Sequence, residues 1–316
     1  MSLPAPGAAT MGLPEWVAVR EVGPRDGLQL EAPQEVGERV ALIEALVASG
    51  VAEIEAAAFV SPRVVPAMAA AAAVLAGVAR RPGVRYWALV PNLRGADEAL
   101  AAGADGLSVT LSASEAYSVK NVGRTVAAAV DECGRIAART DGLVPVDAVI
   151  SCSFGSPYEG EITPSAVAAL ARQAVESGAT KLTLADTTGM ATPRRIREVL
   201  AATGTDVGLH LHDSRGTALV NAYAALELGV HRFDTAVGGL GGSPFAPGAG
   251  GNLATEDLVY LLDDLGVATG IDLASVLAAG ANLARILGHP LASRVAAAGP
   301  QARTGHESGR HDDAVV

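Results

Sequence analysis

The chain is 316 residues long, 50% hydrophobic and 18% charged, with Lys+Arg 23 against Asp+Glu 34 and a formal net charge of −11. The apolar half excludes disorder over most of its length, and the negative balance opposes attraction to nucleic acid or to an anionic membrane surface. Its cysteines, Cys133 and Cys152, are too few for a disulfide framework, which points to a reducing, cytoplasmic compartment.

Residues 1–15 hold no Lys or Arg, so they lack the basic start of a signal or transit peptide and read as a flexible leader. Beyond them, short β-branched or leucine-rich runs alternate with longer alanine-rich segments of helical period. Strand Val17–Val22 is followed by helix Glu35–Ser49, strand Ala52–Ala57 by helix Val64–Ala79, and strand Val84–Val90 by helix Leu93–Ala102. Strand Gly106–Leu111 precedes helix Val119–Thr140, Val144–Cys152 precedes Pro164–Ser177, and Lys181–Thr187 precedes Pro193–Ala202. The last pairs are Asp206–Asp213 with Thr217–Leu228, and Arg232–Val237 with Thr255–Leu265. Thr163 before Pro164 and Thr192 before Pro193 are helix-start signals, and Glu256 and Asp257 fall in a first turn. Gly50, Gly103, Gly178 and Gly229 stand where helices should stop. Ala67–Ala79, the longest apolar stretch, is too short to span a bilayer.

Eight strand–helix units, at the usual spacing of about 250 residues for the set, predict an α/β fold, a TIM (β/α)8 barrel over residues 16–298. An open doubly wound sheet shares the alternation, but no glycine-rich dinucleotide turn follows the first strand. Helix Leu273–Leu287 falls outside the count and is expected either to cap the barrel or to pack against a second subunit in a homodimer. Residues 299–316 are polar and without apolar period, and read as a disordered tail.

In such a barrel, chemistry belongs to the C-terminal ends of the strands and the loops beyond them. The seventh strand ends in His210-Leu211-His212. Strand alternation turns both imidazoles inward, about 7 Å apart along the strand, within reach of one metal ion. Hydrogen bonding within a polar core is the structural alternative. The first strand runs into Arg25 and Asp26 in a turn made by Gly23, Pro24 and Gly27. Asp26 is a hard oxygen ligand, and Arg25 can stabilise negative charge on a substrate oxygen. A plain turn salt bridge is the alternative; the shared face with the histidines favours chemistry. The glycine-rich segment Gly238–Asn252 reads as a lid over substrate, and Asn252 at its end can offer a carbonyl oxygen to the same metal. Glu55 interrupts an apolar run, and pairs with Arg25 or with a metal-bound water, or holds a loop at the rim.

These motifs resemble the 3-hydroxy-3-methylglutaryl-CoA lyases, among the metal-dependent TIM-barrel lyases and synthases. The resemblance is carried by GPRDGLQ (Gly23–Gln29), FVSPRVVPAM (Phe59–Met68), PNLRG (Pro91–Gly95), SCSFGSPYEG (Ser151–Gly160), ADTTGMATP (Ala185–Pro193), HLHDSRG (His210–Gly216) and GNLATEDLVY (Gly251–Tyr260). It implies that Asp26, His210, His212 and Asn252 hold a divalent cation, magnesium or manganese, that Arg25 steadies the enolate of acetyl-CoA, and that Glu55 assists nearby. The implied reaction is retro-Claisen cleavage of 3-hydroxy-3-methylglutaryl-CoA to acetoacetate and acetyl-CoA, a step of leucine degradation. Asp26 or His210 would take the hydroxyl proton. An acyl-CoA is then the expected partner.

The chain departs from the resemblance at Ser243, where the family's cysteine is thought to help protonate the enolate. A hydroxyl is a far weaker acid than a thiol of pKa about 8.5, so a slower step is expected. Arg215 replaces an aromatic residue and Ala58 a small polar one, both near where substrate would sit. A lyase for a related 3-hydroxyacyl-CoA, with Arg215 gripping another acyl group, is therefore one alternative. A metal- and CoA-binding paralogue whose turnover is impaired by Ser243 is a second. A synthase ranks lower, because Asp213-Ser214 stands where those enzymes carry Asn-Asp.

Overall fold

A computed structural model of the chain describes residues 12–242 and 250–299. Strands β1 (Ala18–Glu21), β2 (Glu53–Ala58), β3 (Arg85–Leu89), β4 (Gly106–Ser112), β5 (Val146–Ser151), β6 (Lys181–Ala185), β7 (Gly208–His210) and β8 (Arg232–Thr235) pair in parallel and close into a barrel. The outer layer contains α1 (Val36–Ala48), α2 (Ala71–Gly77), α3 (Leu93–Ala101), α4 (Glu115–Val122), α5 (Val126–Thr140), α6 (Pro164–Glu176), α7 (Pro193–Thr203), α8 (Ala218–Leu226) and α9 (Thr255–Leu265). Two further helices follow, α10 (Leu273–Leu287) and α11 (Arg294–Ala298). The (β/α)8 expectation holds, and the open-sheet rival is removed by the parallel pairing of β1 with β8.

Strands covered on both faces explain the continuous apolar runs, with Ile54, Leu107, Ile150, Leu184 and Leu209 fully enclosed between barrel and helices. Thr163 and Thr192 act as predicted, their hydroxyls accepting from the backbone N–H of Ala166 and Arg195 to start α6 and α7. The inner side of α10 packs on α1 and α9, so the helix buttresses the barrel's outer wall near its closing seam. Among the described residues, no helix is long and apolar enough to cross a membrane.

Three elements differ from the sequence expectation, each for a local reason. The helix expected over Val64–Ala79 shrinks to a short turn at Pro66–Met68 and then α2. Pro66 forces Val65 into an extended backbone, which prevents an α-helix from starting at Val64. The helix expected over Val119–Thr140 is two helices, broken at Gly123, whose left-handed backbone (φ 68°) ends α4 before Thr125 caps α5. The seventh strand is only Gly208–His210. His212 lies beyond it, in a separate antiparallel bridge with Asn252.

Helix α11 was not expected, being short and without a long apolar period. It is held from outside: the Asp257 carboxylate accepts from Ser293 Oγ, Arg294 N and Val295 N at 2.8–3.1 Å. Just before it, the N–H groups of Ala292 and Ser293 both donate to Gly238 O, so the segment straps the root of the loop that follows β8.

Candidate active site

The turn after β1 is set by one carbonyl. The N–H groups of Arg25, Asp26 and Gly27 all converge on Val22 O, which aims the side chains of Arg25 and Asp26 over the barrel mouth. Arg25 is buried and shared between two carboxylates, Nε donating to Glu55 Oε2 at 2.5 Å and one terminal nitrogen to Asp26 Oδ1 at 2.5 Å. Of the partners expected for Glu55, the structure therefore shows Arg25. Burial acts against the guanidinium charge, but the Glu55 and Asp26 charges outweigh it, and Arg25 titrates above its ordinary range.

Asp26 is the hub. Its Oδ2 accepts from Asn252 Nδ2 at 2.7 Å and lies 3.8 Å from His210 Nε2, while Oδ1 accepts from Gln29 Nε2 at 3.0 Å. Burial raises its affinity for a proton, but the Arg25, His210 and His212 charges pull the other way and leave it below the usual carboxylate range. His210 and His212 present Nε2 to Nε2 at 3.1 Å. The Nδ1 of His212 faces Gly250 O at 2.9 Å, an acceptor with no proton to give, so the ring's proton sits on Nδ1 and the Nε2 lone pair points at His210. Burial and the neighbouring His210 push His212 down to about 4, which keeps it a neutral imidazole at physiological pH. His210 behaves oppositely: burial lowers it, but its hydrogen bond to Asp234 and the Asp26 and Asp234 charges raise it overall.

The donor set fits a cation. One ligand atom each from Asp26, His210 and His212, all buried, lies within 4.8 Å of the others. Nearby, Asn252 Oδ1 and Glu55 Oε1 are buried acceptors that lack a hydrogen-bond partner. Converging nitrogen lone pairs, a carboxylate and spare acceptors, enclosed by protein, form an arrangement that a mixed nitrogen and oxygen metal site requires. Asn252 reaches the cluster because Gly241 takes a left-handed backbone (φ 115°); a Cβ there would stand 2.3 Å from Asn252 Nδ2 and 3.1 Å from Asp26 Oδ2.

Not every sequence expectation lands here. Ser243 and the centre of the expected lid lie outside the described residues. Arg215 is exposed and donates to the carbonyls of Thr188 and Gly189 at 2.8 and 2.9 Å, so it ties down the loop after β6. Ala58 is buried at the end of β2. His289 binds Glu31 on the surface and His231 is exposed. Sequence reading missed Gln29, which clamps Asp26 to Gly242 O, and the Arg20–Asp234 pair beneath His210. It also missed Glu21, which accepts from Gly23 N and Val237 N and so ties the β1 turn to the β8 loop. For Arg20 and Asp234 the available signal was a charged residue at an inward position of a strand buried on both faces.

Comparison with known proteins agrees with this geometry. Residues 16–282 match the family described as HMGL-like. The chain is 41% identical over 295 residues to the 3-hydroxy-3-isohexenylglutaryl-CoA/hydroxy-methylglutaryl-CoA lyase of Pseudomonas aeruginosa, covering 91% of this chain and 98% of that protein. It is 41% identical over 307 residues to the mitochondrial hydroxymethylglutaryl-CoA lyase of Rattus norvegicus, covering 94% of each. The solved structure of an HMG-CoA lyase from A. baumannii in complex with coenzyme A and 3-methylmalate superposes with a TM-score of 0.88 at 38% identity, covering 92% of this chain and 97% of that one. With its closed barrel, its buried Asp-His-His cluster and this near-complete match, the chain belongs to the HMGL-like family of lyases.

Proposed function

We propose that the protein cleaves 3-hydroxy-3-methylglutaryl-CoA to acetoacetate and acetyl-CoA, using a divalent cation, magnesium or manganese, held by Asp26, His210, His212 and Asn252. The observation that carries the reading is the convergence of three buried ligand atoms within 4.8 Å beside the Arg25–Glu55 pair, in a chain 41% identical to named lyases. The cation, when bound, supplies Lewis acidity toward the substrate's hydroxyl and carboxylate oxygens. Asp26 takes the hydroxyl proton, because both ring nitrogens of His210 are committed, Nδ1 to Asp234 and Nε2 to the cation position. Arg25, fixed in place by Glu55 and Asp26, presents its charge to the thioester oxygen as the C2–C3 bond breaks and that oxygen becomes an enolate. Ser243 then relays a proton to the enolate carbon.

The relatives described are all named as lyases, which argues against a binding protein without turnover. The commitment of Arg215 to backbone carbonyls argues against its gripping a different acyl group. We place the protein in the cytoplasm, in leucine degradation, with its buried cysteines reduced, and as a homodimer. Sedimentation as a monomer at micromolar concentration would remove the last point.

The test is incubation of the purified protein with magnesium or manganese and 3-hydroxy-3-methylglutaryl-CoA, following acetoacetate, beside Ser243→Cys. Metal-dependent acetoacetate from the wild type, raised in the variant, is the expected result. Absence of product from both refutes the assignment.

A further inference from the structure

Beneath the cluster lies a row of charge that neither the reaction nor the ligand set uses. Arg20 on β1 is in register with Asp234 on β8, and Asp234 with His210 on β7. Residues in register on neighbouring strands share a face, so the three side chains line one layer of the barrel interior, all buried. Arg20 grips Asp234 with two parallel hydrogen bonds, Nε to Oδ1 at 2.9 Å and a terminal nitrogen to Oδ2 at 2.8 Å. Its other terminal nitrogen meets Asp147 Oδ2 at 2.8 Å, an oxygen that also accepts from Thr183 Oγ1 at 2.8 Å. The guanidinium carbon lies 5.2 Å from the centre of the Trp87 ring. With each side of the guanidinium committed, Arg20 cannot swing, and Asp234 cannot turn.

We propose that Asp234, locked by Arg20, is the positioning residue that fixes the tautomer of His210 and aims its Nε2 at the cation. Asp234 Oδ2 lies 3.3 Å from His210 Nδ1. A carboxylate gripped by a bidentate arginine is ionised and can only accept, so it draws the proton of the neutral imidazole to Nδ1, in competition with the His212 Nε2 lone pair, which lies 3.1 Å from His210 Nε2. The lone pair is then left on Nε2, the atom facing His212 and Asp26. Gly250 O does the same for His212. The two histidines thus reach the cation position through matched nitrogens, one oriented by a main-chain carbonyl and one by a buried charge pair. A ligand histidine whose second nitrogen is held by a carboxylate is a recurrent device for ordering a metal site.

The inference rests on the metal reading above, and two measurements keep the two apart. In metal-free protein labelled with 15N-histidine, at alkaline pH where the imidazoles are neutral, long-range 1H–15N spectra report which ring nitrogen is protonated; His210→Gln assigns the signal. His210 is expected to carry its proton on Nδ1. Asp234→Asn replaces an acceptor with an amide that can also donate, and should populate the Nε2–H form and weaken manganese binding by about 10–100-fold. Arg20→Met should weaken it less, and Arg20→Lys should recover part of the loss. A wild-type His210 protonated on Nε2 overturns the inference even if Asp234→Asn does not fold. Unchanged manganese affinity in a folded Asp234→Asn overturns it too. A wild type that binds no manganese instead overturns the metal reading, while the tautomer spectrum still decides the role of Asp234.

Discussion

Asn252 Nδ2 donates to Asp26 Oδ2 at 2.7 Å across 226 residues of chain, joining the first and last β-strand loops at the candidate cation position. The contact exists because Gly241 leaves room for it. Gly241→Ala introduces a Cβ into that space at a backbone angle L-residues rarely adopt. We expect manganese affinity, read by calorimetric titration, to weaken by about 10-fold or more, as for other changes next to a ligand set. Affinity equal to wild type would show that Asn252 does not need this approach.

Arg25 tests the charge proposed to face the enolate. Arg25→Met leaves Glu55 buried beside Asp26 without its cation. Loss of a preorganised donor predicts a fall in kcat of about 10²–10³-fold, with KM changing far less. A variant whose KM rises while kcat holds would assign Arg25 to substrate binding instead.

Glu21 and Glu256 set a pH dependence of stability away from the cluster. Burial pushes Glu21 up from 4.5 to about 7, and burial with the Glu21 charge pushes Glu256 up to about 8. Both pKa values are raised on folding, so the folded state binds protons more tightly than the unfolded chain. Their contribution is therefore full below pH 4.5 and is lost as pH rises through about 7 and 8. Between those limits Tm should fall as pH rises, by about 2–4 °C for each kcal/mol lost. Glu256→Gln should flatten the slope over the upper part of the range. An equally steep profile in that variant would mean that other groups govern the window.

Asp257 should govern the strap. Asp257→Ala leaves Ser293 Oγ and the N–H groups of Arg294 and Val295 without their acceptor. A loss of about 1–3 kcal/mol is expected in urea denaturation, with faster hydrogen exchange confined to residues 289–298 and their contact at Gly238. Exchange that speeds up uniformly would show that the segment unfolds with the barrel, not before it.

The barrel was legible because its cause is local. Alternating runs, Thr caps before Pro164 and Pro193, and glycines after helices are each settled by neighbouring residues, and eight repeats of that pattern admit few architectures. The same holds for the inward aim of His210 and for the Arg25–Asp26 turn, which strand alternation and turn chemistry dictate. Sequence alone could not say that Pro66 and Gly123 would override a longer helical period, nor that His212 would leave β7 to pair with Asn252.

Closure of the barrel decided the rest. Whether Glu55 meets Arg25, and whether Asp26, His210 and His212 converge, depends on which residues stand level on adjacent strands. Register is a property of the closed sheet, and a slip of one residue would send Arg20, Asp234 or His210 to the opposite face. The candidate ligand types were therefore written in the sequence, while the charges that lie against them were set by the pairing of β1 with β8.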